Sequence, residues 1–221
     1  MNPVSPTPQS LRWRGVAALL GGIVALALAL PLASAYHLAY DELPSWFYPL
    51  MPVVRPLLSF GRMGAVYEIY GRWYAVVYLL AALGLQGLRL LQRPAPRSLA
   101  DISWKCLALS LALSCIGVAA DYWFDGAGWP LSLLALLIML VATTVYGAAL
   151  LRARAVPAWL GWALAITGLG GLPSSLLTGH VPSGPTIAPA VGWICVGVFL
   201  LRQAAAAREE QTGVTGALGS Q

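Results

Sequence analysis

The stretch SWKCLALSLALSCIGVAADYW, residues 103–123, decides the fold. It is apolar enough to cross a bilayer, yet its polar and small residues are not scattered. At the helical 100° per residue, Ser103, Cys106, Ser110, Ser114, Gly117 and Asp121 fall within about 60° of one line down the helix. The rest is mainly Leu, Ala, Ile and Val. Such a helix turns its polar stripe toward other helices and its leucines toward lipid, so the stretch reads as the inner helix of a small transmembrane bundle.

The rest of the chain agrees. Of 221 residues, 59% are apolar and only 10% charged, a composition outside that of soluble domains. The net charge of +5 would suit an acidic partner. The basic residues, however, sit in short clusters between apolar runs rather than on one surface, so nucleic acid is not an expected partner. Twelve of the thirteen basic residues are Arg and Asn occurs once, a bias that carries no functional information. Cys106 and Cys115 lie nine residues apart, on opposite sides of one helix, and Cys195 is alone. No CxxC or zinc-type spacing occurs, and the three thiols read as free packing residues.

Six apolar runs are long enough to be spans, at residues 15–36, 73–91, 103–123, 131–151, 158–179 and 187–201. The first follows Arg12 and Arg14 and carries Ala18, Gly22, Ala25 and Ala29 on one face, a small-xxx-small pattern for close helix contact; Pro31 is expected to kink its end. The same basic start and Ala33-Ser34-Ala35 also describe a secretory signal, but the apolar run exceeds a usual signal core, which favours an uncleaved helix. Residues 37–72 form a long loop with Pro44, Pro49, Pro52 and Pro56, too rich in Trp46, Phe47, Tyr48 and aliphatics to be free. They are expected to cap the bundle at headgroup depth, with a helix leading into the second span from Met63 and Glu68 placed i,i+4 to Arg72. Arg93, Pro94 and Pro96 close that span, and Ser98 or Asp101 caps the next. In the fifth run, Gly168, Gly170, Gly171 and Pro173 predict a helix break, with Thr167, Gly171, Ser174 and Thr178 as a polar face supplying partners to the opened backbone. The tail, residues 202–221, is polar with a Gly-rich end and is expected to be disordered.

Orientation follows from counting. Alternating spans put ten basic residues on one side and three, Arg55, Arg62 and Arg72, on the other. The positive-inside rule makes the ten-residue side cytoplasmic, with both termini inside. Trp13, Trp73, Trp104, Trp123, Trp129 and Trp159 fall at the implied interfaces. The expectation is an all-α integral membrane bundle of six transmembrane helices with a long outer loop between helices 1 and 2, in a bacterial inner membrane.

Soluble catalytic signatures are absent: there is no P-loop, HExxH or GxSxG, and the Gly168–Gly171 cluster follows no strand. One asymmetry remains. His37, His180, Asp41, Glu42, Glu68, Asp121 and Asp125 all fall on the side that carries only three of the basic residues. Asp121, His180, His37 and Glu68 are the candidate outer-face site. Carboxylates with imidazoles suit a divalent metal, two histidines suit haem, and an interfacial acid beside a polar stripe suits proton or substrate passage. The plainer reading is that helix ends in water carry polar residues anyway, and it is favoured for Asp121, His180 and His37. No cofactor is therefore expected. No span is charged at its middle, which counts against an ion pump. Two function classes follow: a non-enzymatic accessory, scaffolding or lipid-like-ligand-binding protein, or a small-molecule transporter or membrane enzyme with an outer metal, haem or proton site. Expected partners are membrane lipids and a membrane-protein partner or further copies of the chain.

The C-terminal half, from Asp121 through VYGAALLRARAVPAWLGW and GHVPSGP to GWICVGVFLLR, resembles small uncharacterised bacterial multi-pass integral membrane proteins. These end a fifth span in a His-x-Pro-Ser-Gly turn, matched by His180, Pro182, Ser183 and Gly184. The resemblance covers about half of the chain, draws attention to His180, and brings no activity.

Overall fold

The computed structural model describes residues 6–92, 97–124 and 126–218, with side chains through 211. Arg93, Pro94 and Pro96, Asp125, and the side chains of the Gly-rich end lie outside the described residues. Each apolar run is one long helix beginning or ending on a readable signal. Helix α1 (Pro8–Tyr40) starts where the Thr7 hydroxyl accepts the Ser10 N–H at 3.2 Å, with Pro8 in the first turn. It continues through Pro31 and beyond His37, further than expected.

The long loop is correspondingly shorter and largely helical. A 3-10 turn covers Ser45–Leu50, α2 spans Met51–Leu58, and α3 spans Met63–Gln92. Its prolines leave room for short helices only: Pro52 sits in the first turn of α2, where a missing N–H costs nothing, while Pro49 lies inside the 3-10 turn and Pro56 inside α2. Val54 and Leu58 bury against Ala35 and Val66, which fastens this cap to α1 and α3. Helix α4 (Leu99–Trp123) starts on a reciprocal box. Ser98 Oγ accepts the Asp101 N–H at 3.2 Å, and the Asp101 carboxylate accepts the Arg97 N–H at 3.1 Å. That buried carboxylate also pairs with Arg89 of α3 at 2.6 Å and with Lys105 at 2.8 Å, which ties the α3 and α4 ends together. Helices α5 (Trp129–Ala153), α6 (Ala158–Thr178) and α7 (Ser183–Leu218) complete the chain.

Three expectations change. Helix α6 is not broken: Pro173 lies inside it, exposed on its outward face. The polar face satisfies a local carbonyl, since Ala163 O accepts from Thr167 Oγ1 at 2.6 Å. The tail is not irregular from residue 202, because α7 runs on through a QAAAAREEQ segment of strong helix formers. The stripe helix α4 is not an inner helix. Only 39% of its most apolar window is buried, against 61% for the last span. The arrangement has no central helix to offer.

Instead α1, α3, α4, α5, α6 and α7 form a closed ring: each packs on the next in the chain, and α7 returns to α1. Small residues set the spacing. A Cβ at Gly22 would stand 2.5 Å from Ala190 O of α7, and Ala18, on the same face, packs against Gly84 of α3. At the centre Ala18, Leu85, Leu107, Thr143, Leu164 and Val196, one from each long helix, surround a void of only about 10 Å³, at the limit for a single water. The bundle axis is therefore closed. All six helices are long and apolar enough to cross a membrane, and their outward faces carry Leu20, Leu79, Leu109, Val141 and Leu169 exposed. This is an all-α, multi-pass membrane architecture, with no strand among the described residues.

Candidate functional site

Above that closed axis, at the end opposite the Arg89–Asp101–Lys105 cluster, the ring opens into a vestibule of about 540 Å³. Glu68, Asp121 and His180 line it together, joined by Arg72, Tyr36, Tyr40, Tyr67, Tyr122, Trp123 and Trp129. Three of the four residues singled out in the sequence therefore converge, although α3, α4 and the α6–α7 turn supply them separately.

His180 forms the floor. Gly179 ends α6 in the left-handed region at φ 60°, which turns the chain inward, and His180 then precedes the cis Val181–Pro182 bond and Ser183 at the start of α7. Its Nδ1 lies 2.8 Å from Ser183 Oγ and its Nε2 lies 3.3 Å from the Tyr67 hydroxyl. Tyr122 in turn donates to Tyr67 at 3.1 Å. Giving each hydroxyl one acceptor assigns a single chain: Tyr122 O–H to Tyr67, Tyr67 O–H to His180 Nε2, and His180 Nδ1–H to Ser183. The imidazole in that chain is neutral. Burial, reinforced by the nearby His37, pulls its pKa from 6.5 down to about 3. The Tyr36 ring lies 4.8 Å from His180, and Tyr67 meets it edge-on at 5.5 Å.

Tyr122 is held equally tightly. A Cβ on Gly71 would overlap its ring, so α3 carries glycine where α4 presses tyrosine against it. Arg72, one residue on, donates Nε–H to Tyr122 O at 3.2 Å, pairs with Glu68 at 3.1 Å and stands 5.5 Å over the Trp123 ring. The expected i,i+4 pair is thus present and has further anchors. Asp121 differs: among the described residues its half-buried carboxylate has no hydrogen bond and no ion pair.

His37 does not reach the vestibule. Its Nε2–H donates to Thr178 O at 2.8 Å, its Nδ1 faces Asp41 at 3.5 Å, and it is buried against Gly179 and Phe47. It clasps the end of α1 to the end of α6. The polar face of α6 is also a fastening. Ser174 Oγ donates to Gly184 O at 2.7 Å, Thr178 Oγ1 to His180 O at 3.3 Å, and Thr167 lies against Gly192, all across to α7 or its approach. Gly171 likewise lets Pro185 O come close. The α4 stripe faces α5, with Gly117 against Ser132, and its edge residue Cys106 lies exposed. Of the two polar faces only Asp121, at the end of the α4 stripe, lines the vestibule.

The metal and haem readings do not fit these residues. Among the described residues no three His, Cys, Asp or Glu side chains stand close enough together to hold a metal ion, and the Nε2 atoms of both histidines point to protein oxygens. The tyrosines are what residue-by-residue reading missed. Their signal lay in the spacing of Tyr36 with Tyr40 and of Tyr67, Tyr70, Tyr74 and Tyr78, which puts aromatic rings repeatedly on one helix face.

Fold and site together define a class: an all-α multi-pass membrane protein with a blind, tyrosine-walled vestibule at one end. No family model matches the chain, and neither a curated protein nor a solved structure matches it.

Proposed function

We propose that the chain is a non-enzymatic ligand-binding protein of the bacterial inner membrane, with both termini cytoplasmic and the vestibule facing outward. The observation that carries this reading is the vestibule itself. A cavity of about 540 Å³ lies within the range of small-molecule sites, it gathers Glu68, Asp121 and His180, and it ends on a closed axis. A blind pocket suits holding a ligand better than passing one. The ten-to-three distribution of basic residues supports the orientation. The Tyr122–Tyr67–His180–Ser183 chain favours a second reading, a proton-coupled transporter or membrane enzyme, since hydroxyls and a neutral imidazole in sequence are suited to moving a proton.

Native mass spectrometry of the full chain extracted from its own membranes tests the first reading. A bound small molecule or lipid is expected on the wild type and lost from both Asp121→Asn and His180→Ala, with helical content unchanged in circular dichroism. Identical adducts on all three proteins, or none on any, would refute it.

A further inference from the structure

The vestibule walls say which chemical class fits, granted that the vestibule is a ligand site. Six aromatic side chains, Tyr36, Tyr40, Tyr67, Tyr122, Trp123 and Trp129, line it. The hydroxyls of Tyr67 and Tyr122 are engaged within the hydrogen-bonded chain that ends on Ser183, which favours the aromatic ring, rather than a donor, as what these two offer a ligand. Arg72 is already held by Glu68 and Tyr122 O. Two carboxylates, Glu68 and Asp121, against one guanidinium leave one negative charge on the described wall, and it resides on the unpaired Asp121. His180, neutral through burial, does not offset it.

Each ligand class meets this wall differently. An anion meets both Asp121 and the negative faces of the rings. A neutral apolar molecule strips water from Asp121 without replacing it, which is costly. A cation satisfies the carboxylate and the rings at once.

We propose that the vestibule binds an ammonium group, held between the Asp121 carboxylate and the surrounding rings of the tyrosines and Trp129. The group belongs either to a soluble amine or to the headgroup of a lipid, because Trp123 and Trp129 stand at the helix ends where headgroups lie.

Choline and its neutral isostere 3,3-dimethylbutan-1-ol are the probes, read by tryptophan emission of the purified full chain in phosphatidylglycerol nanodiscs. Saturable choline binding is expected, with the isostere and Asp121→Asn each at least ~10-fold weaker, which is ~1.4 kcal/mol, and Asp121→Glu retaining it. Suppression of choline binding by phosphatidylethanolamine or phosphatidylcholine in the disc identifies a lipid headgroup as the natural source; indifference to these lipids identifies a soluble amine. Isostere binding equal to choline, or a response to inorganic phosphate but not to choline, overturns the ammonium assignment and leaves the ligand pocket standing. No response to any probe or disc lipid overturns both. The isostere comparison uses wild-type protein, so the outcome does not depend on how well the variants fold.

Discussion

His180 is the residue whose environment makes the sharpest demand. In the unfolded chain its imidazole binds a proton near pH 6.5, and in the folded protein only near 3. Between those values the unfolded state holds more protons, so stability is complete above 6.5 and falls as the pH drops toward 3. The slope for this one group reaches at most about 1.4 kcal/mol per pH unit. Thermal unfolding in detergent between pH 7.5 and 4 should therefore show a falling melting temperature that flattens in His180→Phe. A wild-type profile as flat as the variant's would mean that the ring is not buried neutral. His180 stood out in the sequence through its place among the acids of one side and in the His-x-Pro-Ser-Gly turn, but Tyr67, its hydrogen-bond partner, did not. Tyrosines at helix ends are common in membrane proteins, and nothing local separates one that covers a histidine from one that anchors in headgroups.

At the scale of the element, α6 shows what local reading gets right and wrong. Its polar face was legible from spacing alone, but its bonds run to ordinary helix carbonyls and across to the approach of α7 rather than to a backbone opened by Pro173. The break at Pro173 was not realised: the helix runs on through the proline, whose ring is exposed on the outward face, and the neighbouring glycines pack closely against α5 and α7. The two residues should therefore behave in opposite ways. Ser174→Ala removes the donor to Gly184 O that ties α6 to α7 and should cost ~1 kcal/mol. Pro173→Ala restores an N–H at an exposed position and should be neutral or slightly stabilising. Urea unfolding of the two variants in mixed micelles separates them; a larger loss from Pro173→Ala would mean that the proline holds the helix in shape. The same contrast holds at the start of α4. Ser98 announces the cap, but the Arg89–Asp101 bridge joins residues twelve apart across a connection and depends on how two helices meet.

At the scale of the whole molecule, the ring and the charge distribution give one testable topology. In a protein whose three cysteines are replaced by serine, Ser59→Cys beside α2 should react with a membrane-impermeant maleimide in intact cells. Gln203→Cys on α7 should react only after permeabilisation. The reverse pattern would turn the vestibule toward the cytoplasm and remove the proposed source of its ligand. The sequence alone determined the number of spans and the ends to which charges go, because length of apolar run and placement of Arg are properties of contiguous residues facing lipid and water. It also determined that α1 carries a face made for close contact. Tertiary structure alone decided that the helices close into a ring with no inner member, that the long loop folds down as short helices, and that Tyr36, Tyr67, Asp121, Tyr122 and His180 share one cavity while His37 does not. Those residues come from α1, α3, α4 and the α6–α7 turn. Their meeting depends on how far each helix is rotated about its axis, which side-chain packing across the ring sets and no single stretch of sequence records.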